Sequence, residues 1–197
     1  MDRSDLTELH YITPIANLAS IMQHGLVCHQ RSIKMNAQSI ADPSVQDIRA
    51  PKRVPNGLKL HEYVNLYFNA RNPMLFKRLD LHETICVLGV SCDALDMPGA
   101  VITNQNAASK YGRFAPSPGG LAIVDEAQTF AESWKHPDDQ IAEWRHTSAM
   151  CAEVLVPNCV PPGHINIAYV SGESAQGRIA ALGLHLATQI NLHLFFR

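Results

Sequence analysis

The chain has 197 residues, 46% hydrophobic and 17% charged, proportions of a folded domain that exclude a disordered, collagen-like or low-complexity protein. That length allows a buried core without disulfide staples, and the expectation is one domain over 1–197. No apolar run approaches the roughly 18 residues of a membrane span, and Met1 to Leu9 carries acids where a signal peptide is basic and then apolar, so a cytoplasmic protein without membrane contact is expected.

The net charge of −2 conceals a gradient: residues 1–78 hold ten Lys/Arg against six Asp/Glu, and residues 79–197 hold six against twelve. A local basic surface in the first part remains open to an anionic partner. The five cysteines are odd in number and form no C-x-x-C pair, so they read as reduced thiols.

In chain order, Leu9 to Thr13 is a β-branched and aromatic run that predicts a strand. Thr13 and Pro14 then stand as cap and first residue of a helix that Gly25 ends. From about 31 to 60 periodicity is lost among Pro43, Pro51, Pro55 and Gly57, which gives a long irregular loop or a few short helical turns. Strands are expected over 63–68, 84–90, 100–103, 152–156, 164–170 and 190–195. Helices are expected near 107–114, 125–134, 138–147 and 175–184, with a short amphipathic piece after the Asn72-Pro73 turn. Irregularly spaced strands with few full helices between them indicate an α+β fold with a mostly antiparallel or mixed sheet.

Several motifs are absent or misleading. Leu121 to Gln128 looks like the apolar strand and Asp-Glu pair that holds magnesium in motor ATPases, but no phosphate loop accompanies it, and Asp125 reads better as a helix start. The ten histidines show no ligand spacing, so no metal is expected. Glu153 is more informative, because it is a charge in the short apolar strand Cys151 to Val156. It either faces a cleft as a site residue or points to solvent from an edge strand. Arg49, close to Lys52 and Arg53, is either a solvated loop residue or an anion clamp.

Four segments connect these residues: Leu9-His10-Tyr11-Ile12-Thr13 followed by Asn17-Leu18-x-x-Ile21-x-x-x-Gly25-Leu26; Leu60 through Leu75, with Tyr67-Phe68-x-x-Arg71-x-Pro73-Met74-Leu75; Val101 through Ala107; and Ala152 to Val156. In this order they resemble the DarT family of DNA-modifying ADP-ribosyltransferase toxins from DarT/DarG toxin–antitoxin modules. The resemblance implies an α+β ADP-ribosyltransferase-like fold: a split, mainly antiparallel sheet with an NAD cleft and surrounding helices, the loop of 31–60 organising NAD and substrate. It implies Glu153 and Arg49 as catalytic residues. Glu153 would stabilise a cationic ribose and take the acceptor's proton, while Arg49 would hold the diphosphate or polarise a thymine carbonyl. His10, Thr13, Asn17 and Tyr67 would join Arg49 in binding NAD, which is a substrate here, with no metal. Asn106 would bind the acceptor base, and Lys52, Arg53 and Arg71 would contact DNA. The implied partners are single-stranded DNA and a macrodomain antitoxin, and the implied reaction is mono-ADP-ribosylation of a nucleobase, thymine first. Guanine, RNA, protein or water as acceptor, and an inert nucleic-acid-binding module, are the alternatives.

Overall fold

The structure is a computed structural model that describes residues 1–197. Strand β1 (Leu9–Pro14) leads through one 3-10 turn into helix α1 (Leu18–His24), and the short strand β2 (Leu26–Val27) precedes α2 (His29–Lys34) and α3 (Pro43–Arg49). Strand β3 (Tyr63–Tyr67), helix α4 (Pro73–Phe76), strands β4 (Ile85–Val90), β5 (Val101–Thr103) and β6 (Phe114–Pro116) follow. Next come α5 (Glu126–Thr129), α6 (Gln140–Ala149), β7 (Glu153–Pro157), β8 (Cys159–Val160), β9 (Ile165–Val170), α7 (Glu173–Ala180) and β10 (Ala187–Ile190).

Eight strands form one sheet in the order β10-β9-β4-β1-β3-β7-β5-β6, and β2 pairs with β8 apart from it. Only β10 and β9 run parallel. The chain is therefore α+β with a mainly antiparallel sheet. That sheet is split at its centre, where β1 pairs with β4 along its whole length but with β3 only at His10↔Tyr67. The two strands part beyond that point.

The core lies on both faces of the sheet. Strand β4 is buried throughout, as a central strand should be. By period-2 alternation Cys86, Leu88 and Val90 join Leu9, Leu66 and Val154 in the cluster under Leu18 and Ile21 of α1 and Ala175 and Ile179 of α7. Ile85 and Val87 join Ile12 and Tyr67 in the opposite cluster, closed by Leu75, Leu194 and Phe195. Gly25 ends α1 at φ +81°, and a Cβ there would strike the Val160 carbonyl, so only glycine fits between α1 and β8.

Several elements differ from expectation. Thr13 lies within β1, and α1 starts one turn later, because the backbone of Ile15 stays tied to Thr84. Over 31–60, of the two expected forms the short helical turns are the one found, as the end of α2 and the whole of α3, the latter capped by Asp42, whose Oδ1 accepts from the Ser44 amide at 2.9 Å. No helix forms over 107–114. Asn106 and Ser109 turn that backbone through their own side chains, Oδ1 of Asn106 accepting from Ala108 and Oγ of Ser109 from Tyr111. Helix α5 is one turn long, with Asp125 as its cap. The last strand sits earlier than 190–195: Asn191 closes the pairing on Val170, and the chain then turns so that Leu194 and Phe195 bury. No helix is long and apolar enough to cross a membrane.

Candidate active site in the split of the sheet

One rung of the sheet carries the polar side chains. The register aligns Thr103, Glu153, Tyr67 and His10 on four adjacent strands, and paired residues project from the same face. The rung therefore crosses the sheet beside the point where β1 and β3 part.

Glu153 opens β7 and is 0% exposed. Both carboxylate oxygens are engaged: Nη1 of Arg49 donates to Oε1 at 3.1 Å and Nη2 to Oε2 at 3.2 Å, a bidentate fork. The amide of Ala107 donates to Oε1 at 3.0 Å. Arg49 is the last residue of α3, itself 6% exposed. Burial lowers the pKa of its guanidinium, but the Glu153 carboxylate overrides this and leaves it above its ordinary value. The loop that follows is pinned to β3 and β7 by Val54, Leu60, Tyr63, Ala107 and Leu155. Arg49 thus reaches Glu153 from across the sequence because an apolar cluster fixes the chain after it.

Arg49 borders a cleft of about 600 Å³, within the range of small-molecule and cofactor sites, and Glu153 lies buried behind it. One wall is the β1 side and the segment between α2 and α3. The Asn17 carboxamide clamps that segment at Gln38, donating to its carbonyl at 2.8 Å and accepting from its amide at 3.0 Å. It also donates to Thr13 Oγ1 at 3.2 Å, and Arg78 holds the far end of the segment through the Ile40 carbonyl. The opposite wall is the turn after β5 with α6, joined where the Asn106 amide donates to the Ser148 carbonyl at 2.9 Å. Burial, then the charge of Glu153, holds the Tyr67 hydroxyl well above its ordinary pKa, so it remains a neutral phenol. The His29 and His61 rings meet tilted at 48° with centroids 4.2 Å apart, and His61 Nε2 is 3.1 Å from Gln46 Oε1. Burial lowers both imidazoles, with Arg49 adding to it.

The comparisons with known proteins bear on this geometry. The profile of "DarT: ssDNA thymidine ADP-ribosyltransferase, DarT" matches residues 10–196. The chain belongs to the DarT family. A "DNA ADP-ribosyl transferase" of Thermus sp. (strain 2.9) is 31% identical over 145 residues, covering 68% of this chain and 69% of that protein. A Thermosipho africanus (strain H17ap60334) "DNA ADP-ribosyl transferase-DNA ADP-ribosyl glycohydrolase fusion protein" is 29% identical over 83% of this chain, which spans only 42% of its length. Among solved structures, Thermosipho africanus DarTG in complex with ADP-ribose has TM-score 0.81 and 26% identity, covering 96% of this chain and 51% of that one. Thermus sp. 2.9 DarT in complex with ADP-ribosylated single-stranded DNA has TM-score 0.83 and 24% identity, covering 97% of each chain.

Of the residues that the DarT resemblance singled out, Thr13, Asn17, Arg49, Tyr67 and Asn106 line the cleft. Glu153 closes its base through Arg49, central and buried rather than on an edge strand. His10 is placed otherwise. Its Nδ1 meets the Phe68 carbonyl at 3.2 Å and its Nε2 the Glu8 carboxylate at 3.3 Å. Gly89, its partner on β4, has no side chain, and the Glu8 carboxylate occupies that space. Burial pushes the Glu8 carboxyl up, but hydrogen bonds from His10 and Tyr169 reverse this and leave it below its usual range.

Arg71 and Arg53 also lie outside the cleft lining. Arg71 is committed to the segment after α5 and to the C-terminal tail: Nε donates to the His193 carbonyl at 3.0 Å, Nη1 to the Glu132 carbonyl at 2.7 Å, and its guanidinium lies 4.2 Å from the Phe196 ring. Arg53 reaches only the Gly57 carbonyl, at 3.4 Å in its own hairpin. Lys52 donates to the Ser109 carbonyl and lines a shallower groove beside the cleft. Sequence reasoning missed the Ala107 amide, which leaves no residue-type signal. It also missed Trp144, whose signal was an indole in a helix without an apolar stripe.

Proposed function

We propose that this chain is a mono-ADP-ribosyltransferase that transfers ADP-ribose from NAD to a nucleobase of single-stranded DNA, thymine in the first instance. The observation that carries this reading is the fully buried Glu153, held by Arg49 and the Ala107 amide at the base of a cleft formed by the parting of two strands. The DarT relatives named for DNA ADP-ribosyl transfer, and the solved complexes with ADP-ribose and with ADP-ribosylated DNA, support it.

In the reaction the bond between C1′ of the ribose and the nicotinamide nitrogen breaks, and its electron pair leaves with nicotinamide. Positive charge develops at C1′, and a buried carboxylate stabilises it far more than water would, since the low-dielectric surroundings screen little. Glu153 then takes the proton of a thymine ring nitrogen, whose lone pair forms the new bond to C1′. Arg49 balances the carboxylate while the site is closed and offers its guanidinium to the diphosphate of NAD or the carbonyl of the base. Thr13, Asn17 and the clamped segment form the wall against which NAD lies. Tyr67, as a neutral phenol beside Glu153, supplies a flat face and a hydrogen-bond donor. No metal enters this scheme.

We place the protein in the cytoplasm, where NAD and DNA meet, and its five free thiols agree with that. Its activity is that of a growth-arresting toxin. Its counterpart is a macrodomain glycohydrolase that removes the modification, as the Thermosipho fusion of the two activities suggests.

The test is intact-mass spectrometry of single-stranded oligonucleotides, differing in thymine and guanine content, after incubation with NAD and wild type or Glu153→Gln. The expected result is one added ADP-ribose on thymine-containing strands, lost in the variant. Nicotinamide release without an adduct would move the acceptor to RNA, protein or water, and no turnover at all would leave a binding module.

A further inference from the structure

The two tryptophans of the chain sit in opposite environments. Trp134 is 9% exposed and packs edge-on against Phe76 at 5.4 Å and Phe196 at 6.1 Å between centroids. Trp144 is 66% exposed and borders the cleft. It does not hold α6 in place, since the one buried residue of that helix is Ala149. The helix is fixed by polar contacts: its Asp139 cap, His146 against His136 at 3.0 Å, and the Ser148 carbonyl accepting from Asn106. The exposed indole adds little to the core, which leaves its face free to meet a ligand in the cleft it borders.

Three observations bear on that role. Trp144, Thr147 and Ser148 occupy helix positions i, i+3 and i+4, and all three border the cleft on the wall that includes Asn106. The Ser148 hydroxyl, one turn from the indole, is the only buried side-chain polar atom without a partner in the protein. The cleft also continues into a shallow groove that shares Ile48, Ala108 and Ser109 with it and adds Lys52 and Lys110. An aromatic plate and a hydrogen-bonding hydroxyl therefore border the cleft that Arg49 lines, and two ammonium groups border the groove that adjoins it at Ile48, Ala108 and Ser109. A single nucleic-acid strand presents the matching series of flat bases joined by anionic phosphates.

We propose that Trp144 is the stacking platform for the base adjacent to the acceptor base, with the strand's phosphates following Lys52 and Lys110. This rests on the reading of the chain as a DNA-modifying enzyme and adds the residue that holds the neighbouring nucleotide. Every base has a π face, so the platform sets affinity for the strand while tolerating changes of base. Choice of the acceptor base then falls to the groups at the base of the cleft. NAD lies against the opposite wall, formed by Thr13, Asn17 and Gln38.

With two tryptophans so differently placed, intrinsic fluorescence reports on the platform directly. Wild type, Trp134→Phe and Trp144→Phe are titrated with a short oligothymidylate, and separately with NAD alone, while fluorescence anisotropy of a labelled oligothymidylate measures binding. The expected result is quenching by the oligonucleotide in wild type and Trp134→Phe but not in Trp144→Phe. Trp144→Ala should bind the oligonucleotide about tenfold more weakly and Trp144→Tyr, which keeps a plate, near the wild-type level, an outcome that a merely structural role would not produce. Binding without quenching overturns this inference and leaves the proposed activity standing. Quenching by NAD alone assigns the indole to the nucleotide and overturns it as well. Failure of any single strand to bind removes the DNA-modifying reading and this inference with it.

Discussion

Replacing Arg49 with methionine keeps an apolar stem of similar length and removes both donors of the fork at 3.1 and 3.2 Å. Glu153, 0% exposed, is then left with the Ala107 amide alone. Breaking a buried ion pair from one side costs about 3–5 kcal/mol. The remaining amide bond argues for the lower end, about 3 kcal/mol, which for a chain of this size lowers Tm by about 6–12 °C. Glu153→Leu should cost a similar amount, because it strands the guanidinium. The double variant Arg49→Met/Glu153→Leu should recover to within about 1 kcal/mol of wild type or exceed it, because an apolar pair of similar volume avoids the desolvation of both charges. Urea denaturation of the four proteins closes a double-mutant cycle, with an expected coupling of at least about 3 kcal/mol. Single variants that melt within about 2 °C of wild type, or whose effects simply add, would refute the account of a desolvated, mutually dependent pair. Recovery in an inactive double variant would mean that the pair is retained for chemistry at the expense of stability.

Other consequences can be checked separately. Phe68, fully buried in the cluster beneath α1 and α7, should lose about 3–5 kcal/mol on Phe68→Ala, and a loss below about 1 kcal/mol by urea denaturation would mean that the site collapses freely. Burial pushes the Cys86 and Cys151 thiols up to about 12, and Cys28 is buried as well, so mild alkylation of the native protein should label Cys92 and Cys159 and reach the other three only after unfolding, as peptide mass mapping would show. His29 and His61 have folded pKa values below the 6.5 of a free imidazole. As pH falls from about 6.5 through those values, the unfolded chain binds more protons and stability drops, whereas above about 6.5 both states are neutral and this contribution is flat. His29→Phe should make the acid-side decline shallower, and an unchanged slope of stability against pH would contradict it.

Local signals served well for the central strands. The apolar run at 84–90 and the alternation at 63–68 became β4 and β3 almost unshifted, because both are buried in the middle of the sheet, where tertiary context reinforces propensity. Signals failed where side chains compete for the backbone, as Asn106 and Ser109 do in place of a helix, and where a single turn was read as a full helix at Asp125. Glu153 shows a different limit. Alternation says that its side chain shares a face with its i+2 neighbours, but only the pairing of β7 between β3 and β5 makes that face interior. Its partner Arg49 lies 104 residues away, beyond any local pattern, and it was the family resemblance that joined the two. His10 meets the Glu8 carboxylate at 3.3 Å, which is seated in the space left at Gly89, a packing detail that no property of His10 itself could announce.

The single bridge between β1 and β3 has a consequence for solubility and for recognition alike. Past His10↔Tyr67 the two strands confront each other as sheet edges, each with main-chain donors and acceptors outside any ladder, which on a protein's rim would be a template for aggregation. Here the residues of both strands are mostly buried, so the sheet keeps this unpaired backbone away from the rim, where another protein could add a strand. Thr13 and Tyr67, which flank the gap, border the cleft that the proposed function gives to NAD.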